Sequence, residues 1–270
     1  MRHLILKIMF MALSAVGLLT AEAHAQLFLE QGKITVSVSP GDHTNGTLLI
    51  HNTSSDVANI KVYWEDFEYK APYDGSKDFL PAGTAPASAS QWVAFSPQTF
   101  TLPAFGRQKI EYTISVPSTI QEGHYGVLFF ERSSDPLSSD AGLSLVTRVG
   151  CLFFIEPKNK SKKADLQNIA VKGNGITANF LNQANVILIP RTTYYIMQDD
   201  GLVTLRGEAK KLYVPIGATA PLEIPLKKEL KPGHYTLVVN SDLEEGDVVV
   251  KEIDLAVDAA GQLTIQKVQD

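Results

Sequence analysis

Apolar and polar residues alternate one by one along several stretches of this chain. Ile34, Val36 and Val38 alternate with polar residues, and residues 110–116 repeat the pattern as IEYTISV. Alternation with a period of two places one side-chain face on a core and the other in water, which is typical of antiparallel β-strands. Clusters of Pro and Gly separate the stretches, and we find no helical periodicity after the first 25 residues. The pattern predicts an all-β protein made of immunoglobulin-like β-sandwiches.

Two halves of the chain repeat the same elements. TLLIHN ends at Asn52 and TANFLN ends at Asn182, and a Gly-His-Tyr strand follows each of them further along. The first half is longer because of residues 69–91, which are rich in Pro, Gly, Ala and Ser and which we expect to form a long loop. The repeat predicts an N-terminal immunoglobulin-like domain over 26–157, a linker over 158–164 and a C-terminal immunoglobulin-like domain over 165–270.

The repeated Gly-His-Tyr has an architectural and a chemical interpretation. In immunoglobulin-like sandwiches a Tyr near the start of the sixth strand fixes the preceding corner through its hydroxyl group. Tyr125 and Tyr235 occupy that place, each two residues after a Gly. A metal site shared by His124 and His234 is the alternative, but it needs both domains to fold together and two further ligands. The sequence therefore favours two tyrosine corners.

The first 25 residues have the features of a cleaved signal peptide. Arg2 and Lys7 precede an apolar core, and the segment ends in Ala-His-Ala, so we expect cleavage before Gln26. No later stretch approaches the roughly 18 apolar residues of a membrane helix. We expect an exported protein without membrane insertion after cleavage. The periplasm is the predicted location, with the cell surface or the medium as alternatives.

Composition and motifs exclude several classes of function. A formal net charge of −5 gives no electrostatic footprint for nucleic acid. The four His residues after the signal lack metal-ligand spacing, and no nucleophile elbow of the form G-x-S-x-G occurs. Cys151 lies in an apolar run, where a small buried hydrophobe is the simpler interpretation and a reactive thiol the alternative. The sequence predicts no enzyme, no cofactor and no metal.

Three stretches, taken in order, resemble the PapD-like periplasmic pilus chaperones. ITVSVSPGDHTNGTLLIHNTSSDVANIKVYWEDF resembles their first three strands, and WVAFSPQTFTLPAFGRQKIEYTISVP resembles the middle of their first domain. GLSLVTRVGCLFFIEP resembles the last strand of that domain. The resemblance covers residues 32–157 well and the second domain loosely. The chain is identified as a divergent member of this superfamily.

The resemblance implies two immunoglobulin-like domains and a function as an assembly chaperone. In the family, the last strand of the first domain is donated to an exported pilus subunit whose β-domain lacks a strand, which is a form of β-augmentation. Residues 143–155 correspond to that strand, and Arg148 is the candidate auxiliary contact for an anion. The partner-binding residues that the resemblance implies are Leu143, Leu145, Arg148, Val149, Cys151, Phe153 and Ile155.

The sequence departs from the family at the cations that hold the carboxylate at the subunit's C-terminus. Leu152 stands where the family has a Lys in the last strand, and the first strand has no Arg, only Lys33 at its start. The departure favours a divergent relative over a standard chaperone. A structural or adhesive protein of the cell surface or envelope, built of the same modules, is the alternative.

The linker carries four lysines, Lys158, Lys160, Lys162 and Lys163. A solvated linker is the simpler interpretation of such a run, and docking of an acidic partner is the alternative.

Overall fold

The computed structural model describes residues 27–132, 146–226, 230–245 and 248–269. The predicted signal peptide lies outside these ranges. Within them the chain forms β1 (Leu27–Leu29), β2 (Lys33–Val38), β3 (His43–Asn52), β4 (Ala58–Tyr69), β5 (Lys77–Pro81), β6 (Val93–Ser96), β7 (Thr99–Leu102), β8 (Arg107–Ser115), β9 (His124–Arg132), β10 (Thr147–Pro157), β11 (Ala164–Lys172), β12 (Gly175–Asn182), β13 (Arg191–Gln198), β14 (Val203–Glu208), β15 (Thr219–Pro225), β16 (Gly233–Asp242), β17 (Val248–Val257) and β18 (Leu263–Gln269).

The first ten strands form two facing sheets. One has the order β1-β3-β8-β6, and the other has the order β2-β10-β9-β4-β5, with β7 paired to β4. The alternating apolar residues seen in the sequence point between the sheets, because successive side chains of a strand point to opposite faces. Fully buried side chains of this core include Leu48, Ile50, Ile110, Ile114, Phe130 and Phe153.

The remaining strands form a second sandwich. Its sheets have the orders β11-β12-β15 and β14-β13-β16-β17-β18. Fully buried side chains of its core include Phe180, Ile196, Val214, Leu222, Leu237 and Ile253. The prediction of two tandem all-β sandwiches is confirmed. The domain boundaries at 157 and 164 stay a prediction, although the last strand of the first sandwich ends at Pro157 and β11 begins at Ala164.

The two asparagines that end equivalent strands make equivalent contacts. The Asn52 amide donates to the carbonyl oxygens of Asp56, Leu102 and Pro103, and that of Asn182 donates to those of Val186, Val214 and Pro215. The side-chain oxygen of each accepts from the backbone N–H two residues later. Both side chains are buried. The sequence repeat therefore corresponds to one structural device used in both sandwiches.

The segment 69–91, expected to be a loop, contains regular structure. β5 pairs with the end of β4 and extends its sheet. The rest is held by Asp66, a fully buried carboxylate. It accepts hydrogen bonds from the backbone N–H groups of Thr84 and Ala85, the Ser88 hydroxyl and the Trp64 indole. The expectation failed because a buried acid, rather than hydrophobic period, organises this segment.

The tyrosine corner is confirmed in the second sandwich only. The Tyr235 hydroxyl donates to the Lys231 carbonyl oxygen at 2.8 Å. The Tyr125 hydroxyl instead accepts the backbone N–H of Ile187, in the second sandwich, at 2.8 Å. The hydrogen bond that the structure gives the Tyr125 hydroxyl thus joins the two domains.

Asn185 joins three segments of the chain. Its side chain accepts from the Ser161 N–H and donates to the Gln121 carbonyl, at 2.9 and 2.8 Å, and its carbonyl accepts from the Gly123 N–H at 2.8 Å. The linker, the turn before β9 and the second sandwich therefore meet at one residue.

Two of the linker lysines form ion pairs within the chain. The Lys158 ammonium lies 3.4 Å from Asp42. The Lys160 ammonium lies 3.3 Å from Glu156 and 2.9 Å from Glu245. The Lys160 side chain is largely buried and helps to hold the linker, whereas that of Lys158 stays mostly exposed, as expected of a solvated linker.

Candidate functional site

Strand β10 is covered on one side along only half of its length. It pairs with β9 from Thr147 to Ile155, but with β2 only from Leu152 to Pro157. The chain preceding β2 belongs to the opposite sheet, where β1 pairs with β3. Within the residues that the structure describes, nothing pairs with Thr147–Cys151 on that side. We call this stretch the open edge.

The backbone direction along the open edge follows from one hydrogen bond. The Leu152 N–H donates to the Gly32 carbonyl, on the β2 side, at 3.0 Å. Backbone groups of successive residues in a strand point to opposite sides. The N–H and C=O of Arg148 and Gly150 therefore point outward, whereas those of Val149 and Cys151 face β9. An unpaired row of this kind is a template for another strand.

Four of the predicted partner-binding side chains lie on the face of β10 that points into the first sandwich. Cys151, Phe153 and Ile155 are fully buried in its core, and Val149 is half-buried at the margin. Burial raises the pKa of the Cys151 thiol to about 12, so the thiol stays protonated at neutral pH. These side chains stabilise their own domain here, and their contact with a partner stays a prediction. Leu143 and Leu145 lie outside the described residues.

Arg148 lies on the outer face of the sheet, where its side chain is already engaged. Its guanidinium is 3.1 Å from the Glu65 carboxylate and donates to the Tyr63 hydroxyl at 3.3 Å. It also lies 4.1 Å from the ring centroid of Phe129. The hydrogen bond to Tyr63 and the charge of Glu65 raise the pKa of Arg148. A partner's anion would have to compete with Glu65, so the role of Arg148 as an anion contact stays a prediction.

Lys33, at the start of the first strand, and Leu152, which stands where the resemblance implies a Lys, are neighbours in this structure. Lys33 of β2 lies opposite Leu152 of β10. The Lys33 ammonium is 3.9 Å from the ring centroid of Phe154, and burial lowers its pKa against the opposing effect of Glu156. Leu152 packs on the apolar cluster that includes Phe154. The pair thus contains one cation, Lys33.

Gly150 is a residue of the open edge that the sequence analysis missed. A Cβ atom there would lie 2.8 Å from Val127 and 2.9 Å from the Phe129 ring. Because Gly150 has no Cβ atom, the Phe129 ring can lie across the strand and contact Arg148. An isolated Gly within an apolar strand is the sequence signal that could have revealed this residue, since such a Gly often marks the close approach of another group to the strand.

The described residues contain no group of three or more His, Cys, Asp or Glu arranged to hold a metal ion. Within the same ranges, no helix is long and apolar enough to span a membrane.

The chain has the fold of a fimbrial chaperone. A structure reported as the class 5 fimbriae chaperone CfaA matches with a TM-score of 0.51 at 14% sequence identity, over 83% of this chain and 97% of that one. A chain from a chaperone–tip adhesin complex of CFA/I fimbriae biogenesis matches with a TM-score of 0.51 at 14% identity, over 84% and 97%. No family model and no curated protein sequence matches. The resemblance seen in three stretches of sequence thus extends over both sandwiches.

Proposed function

We propose that this protein is a periplasmic, non-enzymatic chaperone that binds an exported subunit with an incomplete β-domain. The subunit adds a strand beside Thr147–Cys151. Backbone hydrogen bonds at Arg148 and Gly150 supply the contact, as in other cases of β-augmentation. The observation that carries the proposal is the open edge: β2 begins opposite Leu152, so within the described residues Thr147–Cys151 pairs on the β9 side alone.

Two further features support this function. The open edge belongs to a strand whose core-facing side chains anchor it firmly, so the edge is presented on a rigid support. The structural neighbours are fimbrial chaperones, and one of them comes from a complex with a tip adhesin. An edge strand left unpaired is a template for aggregation, which favours a dedicated partner.

The test separates the backbone of the open edge from its side chains. Arg148→Pro removes one outward N–H and leaves the hydrogen bonds to β9 in place, because proline is tolerated at an edge whose N–H faces solvent. Arg148→Ala is the matched control, which loses the same side chain and keeps the N–H. The full exported protein, tagged, is expressed in its native periplasm, and captured subunits are identified and quantified by mass spectrometry.

We expect Arg148→Pro to reduce capture of a small β-rich subunit about tenfold, because a hydrogen bond is lost and the ring obstructs the incoming strand. Arg148→Ala should reduce capture less than about threefold, as expected of an exposed ion pair. Circular dichroism and thermal unfolding check that both variants fold. Equal capture by the wild type and Arg148→Pro, or capture of polysaccharide alone, would sink the proposal and favour a structural or adhesive protein.

A further inference from the structure

The hydroxyl hydrogen of Tyr125 has no acceptor among the residues that the structure describes. The equivalent hydroxyl, that of Tyr235, donates to the carbonyl oxygen of Lys231, four residues earlier. The carbonyl four residues before Tyr125 belongs to Gln121, and it accepts a hydrogen bond from the Asn185 side chain at 2.8 Å. The contact between the domains thus occupies the carbonyl that corresponds to the acceptor of the second corner.

The Tyr125 hydroxyl keeps a hydrogen to donate. It accepts the Ile187 N–H at 2.8 Å, which uses an oxygen lone pair and leaves the O–H donor free. Burial raises the pKa of Tyr125, so the hydroxyl is protonated at neutral pH. Only 4% of the residue is exposed, and a buried donor without an acceptor is unfavourable. The hydroxyl therefore offers a donor that an acceptor from outside the chain can use.

A cavity of about 440 Å³ lies beside this hydroxyl, where the two sandwiches meet. Tyr125, Ile187 and Gly123 all line it. The hydroxyl occupies the space that a side chain on Gly123 would take, and the amide bonded to it is that of Ile187. The free donor is thus placed among residues of the cavity wall. The volume is within the usual range for small-molecule sites.

Much of the remaining lining is apolar. It consists of aromatic, aliphatic and proline side chains: Phe67, Tyr73, Ala85, Pro86, Pro215 and Ile216. Tyr69 also borders the cavity, but its ring is stacked on that of Tyr213 and lies 4.8 Å from the Lys77 ammonium, so it is already engaged. The other walls suit the apolar body of a ligand, as in most small-molecule sites, where a few polar groups fix the orientation.

The described residues of the lining give no support for a charged ligand. No Lys or Arg is among them. Glu68 and Glu122 are exposed, and Glu68 points to the opposite face of β4 from Phe67 and Tyr69. Burial lowers the pKa of His124, which is therefore neutral at pH 7. A charge carried into the cavity would stay unpaired there, which is costly.

We propose that this cavity binds a small neutral molecule with an apolar body and one hydrogen-bond acceptor, such as a carbonyl oxygen. The acceptor takes the free hydrogen of the Tyr125 hydroxyl, and the body packs on the apolar walls. Hydrogen bonds between the domains form the site before a ligand arrives, which lowers the entropic cost of binding. The site uses no residue of the open edge, so it stands or falls independently of the proposed chaperone function.

Acetophenone is the probe, and ethylbenzene, which has a CH₂ group in place of the carbonyl, is its matched control. Each is titrated into the full exported protein, and binding is followed by saturation-transfer NMR. We expect saturable binding of acetophenone at millimolar concentration or below. No such binding, as when water alone fills the cavity, would overturn the proposal. The ratio of the two affinities is then compared between the wild type and variants, because differences in the hydrophobicity of the probes cancel in that comparison.

Tyr125→Phe removes the free donor. It should lower the affinity for acetophenone relative to ethylbenzene about tenfold, because one hydrogen bond to a buried donor is lost. Tyr235→Phe, which removes the equivalent hydroxyl in the second sandwich, is the control and should leave the ratio unchanged. If Tyr125→Phe leaves the ratio unchanged, even with weaker binding of both probes, the hydroxyl only supports the contact between the domains and the proposal is wrong.

Filling the cavity locates the bound probes. Ala87→Leu extends a side chain of the lining and should remove binding of both compounds. Ala94→Leu adds the same side chain at an exposed position of β6, outside the lining, and should change nothing. Thermal unfolding checks that both variants fold. Unchanged affinities in Ala87→Leu would place the probes elsewhere and refute this site.

Discussion

Tyr125 and Tyr235 follow the same two residues and begin equivalent strands, yet they connect different parts of the molecule. Tyr235 fixes a corner of its own sandwich through Lys231. Tyr125 reaches across to Ile187 of the other sandwich. Asn52 and Asn182, by contrast, make equivalent hydrogen bonds to the backbone in both copies.

The difference shows which part of a repeated domain is free to change. Each asparagine satisfies carbonyl groups buried inside its own sandwich, and losing such a partner is costly wherever the sandwich is used. The corner tyrosine lies at the end of its sandwich, where the first copy meets the second sandwich and the second copy bonds to its own Lys231. The same side chain therefore stabilises a corner in one copy and an interface in the other.

The largest expected effect concerns the two buried asparagines that end equivalent strands. Asn52→Ala and Asn182→Ala should each lower the free energy of unfolding of their own domain by about 3 kcal/mol, because several buried carbonyls lose their donor. Urea unfolding followed by far-UV circular dichroism measures the loss. Asn45→Ala, on β3 but not at its buried end, is the control. If only one of the two variants lowers the free energy of unfolding of its own domain, the two asparagines are not equivalent.

A smaller effect is expected at the interface. Tyr213→Ala removes the ring that stacks on Tyr69 and lies 5.8 Å from the Lys77 ammonium. Loss of these contacts should weaken the coupling between the domains by about 2 kcal/mol. Calorimetry should then resolve two unfolding transitions, and X-ray scattering should show a broader range of domain orientations. Tyr195→Ala, on the outer face of β13, is the matched control, and an equal effect there would contradict the interface role.

The smallest effect separates the two tyrosines directly. Tyr235→Phe should lower the free energy of unfolding of the second domain by about 1 kcal/mol, the value of one hydrogen bond. Tyr125→Phe should instead speed hydrogen exchange of the Ile187 amide and leave the first domain about as stable as before. Exchange measured by NMR, together with urea unfolding, distinguishes them. If Tyr125→Phe destabilises its own domain as much as Tyr235→Phe does, the two corners are equivalent after all.

The sequence was informative where the determining contacts are local or repeated. Period-two alternation placed the core faces of the strands, and the strand-ending asparagines revealed the second sandwich. Tyr125 could not be distinguished from Tyr235, because its partner Ile187 lies 62 residues away in the other domain. The engagement of Arg148 was also hidden, since Glu65 is 83 residues distant and becomes its neighbour only through β9.

The pairing of β10 was the least predictable feature of the candidate site. The alternation of apolar residues showed that this segment is a strand with one face in the core. It did not show which half of the strand would be covered by a neighbouring strand. Coverage depends on β2, which pairs with β10 in parallel. The two strands are more than a hundred residues apart in the chain. Hydrophobic pattern carries no information on such a partner, because parallel neighbours need not be close in sequence.

The chain leaves one sheet after Leu29 and joins the other at Lys33. If the protein has the proposed function, that crossing point sets how many residues of β10 an added strand can match. Moving the crossing point by one residue along the chain would lengthen or shorten the open edge by about 3.3 Å, the rise of a residue in a strand. The length of the open edge is therefore set by the few residues between β1 and β2, and the core of the sandwich does not depend on it.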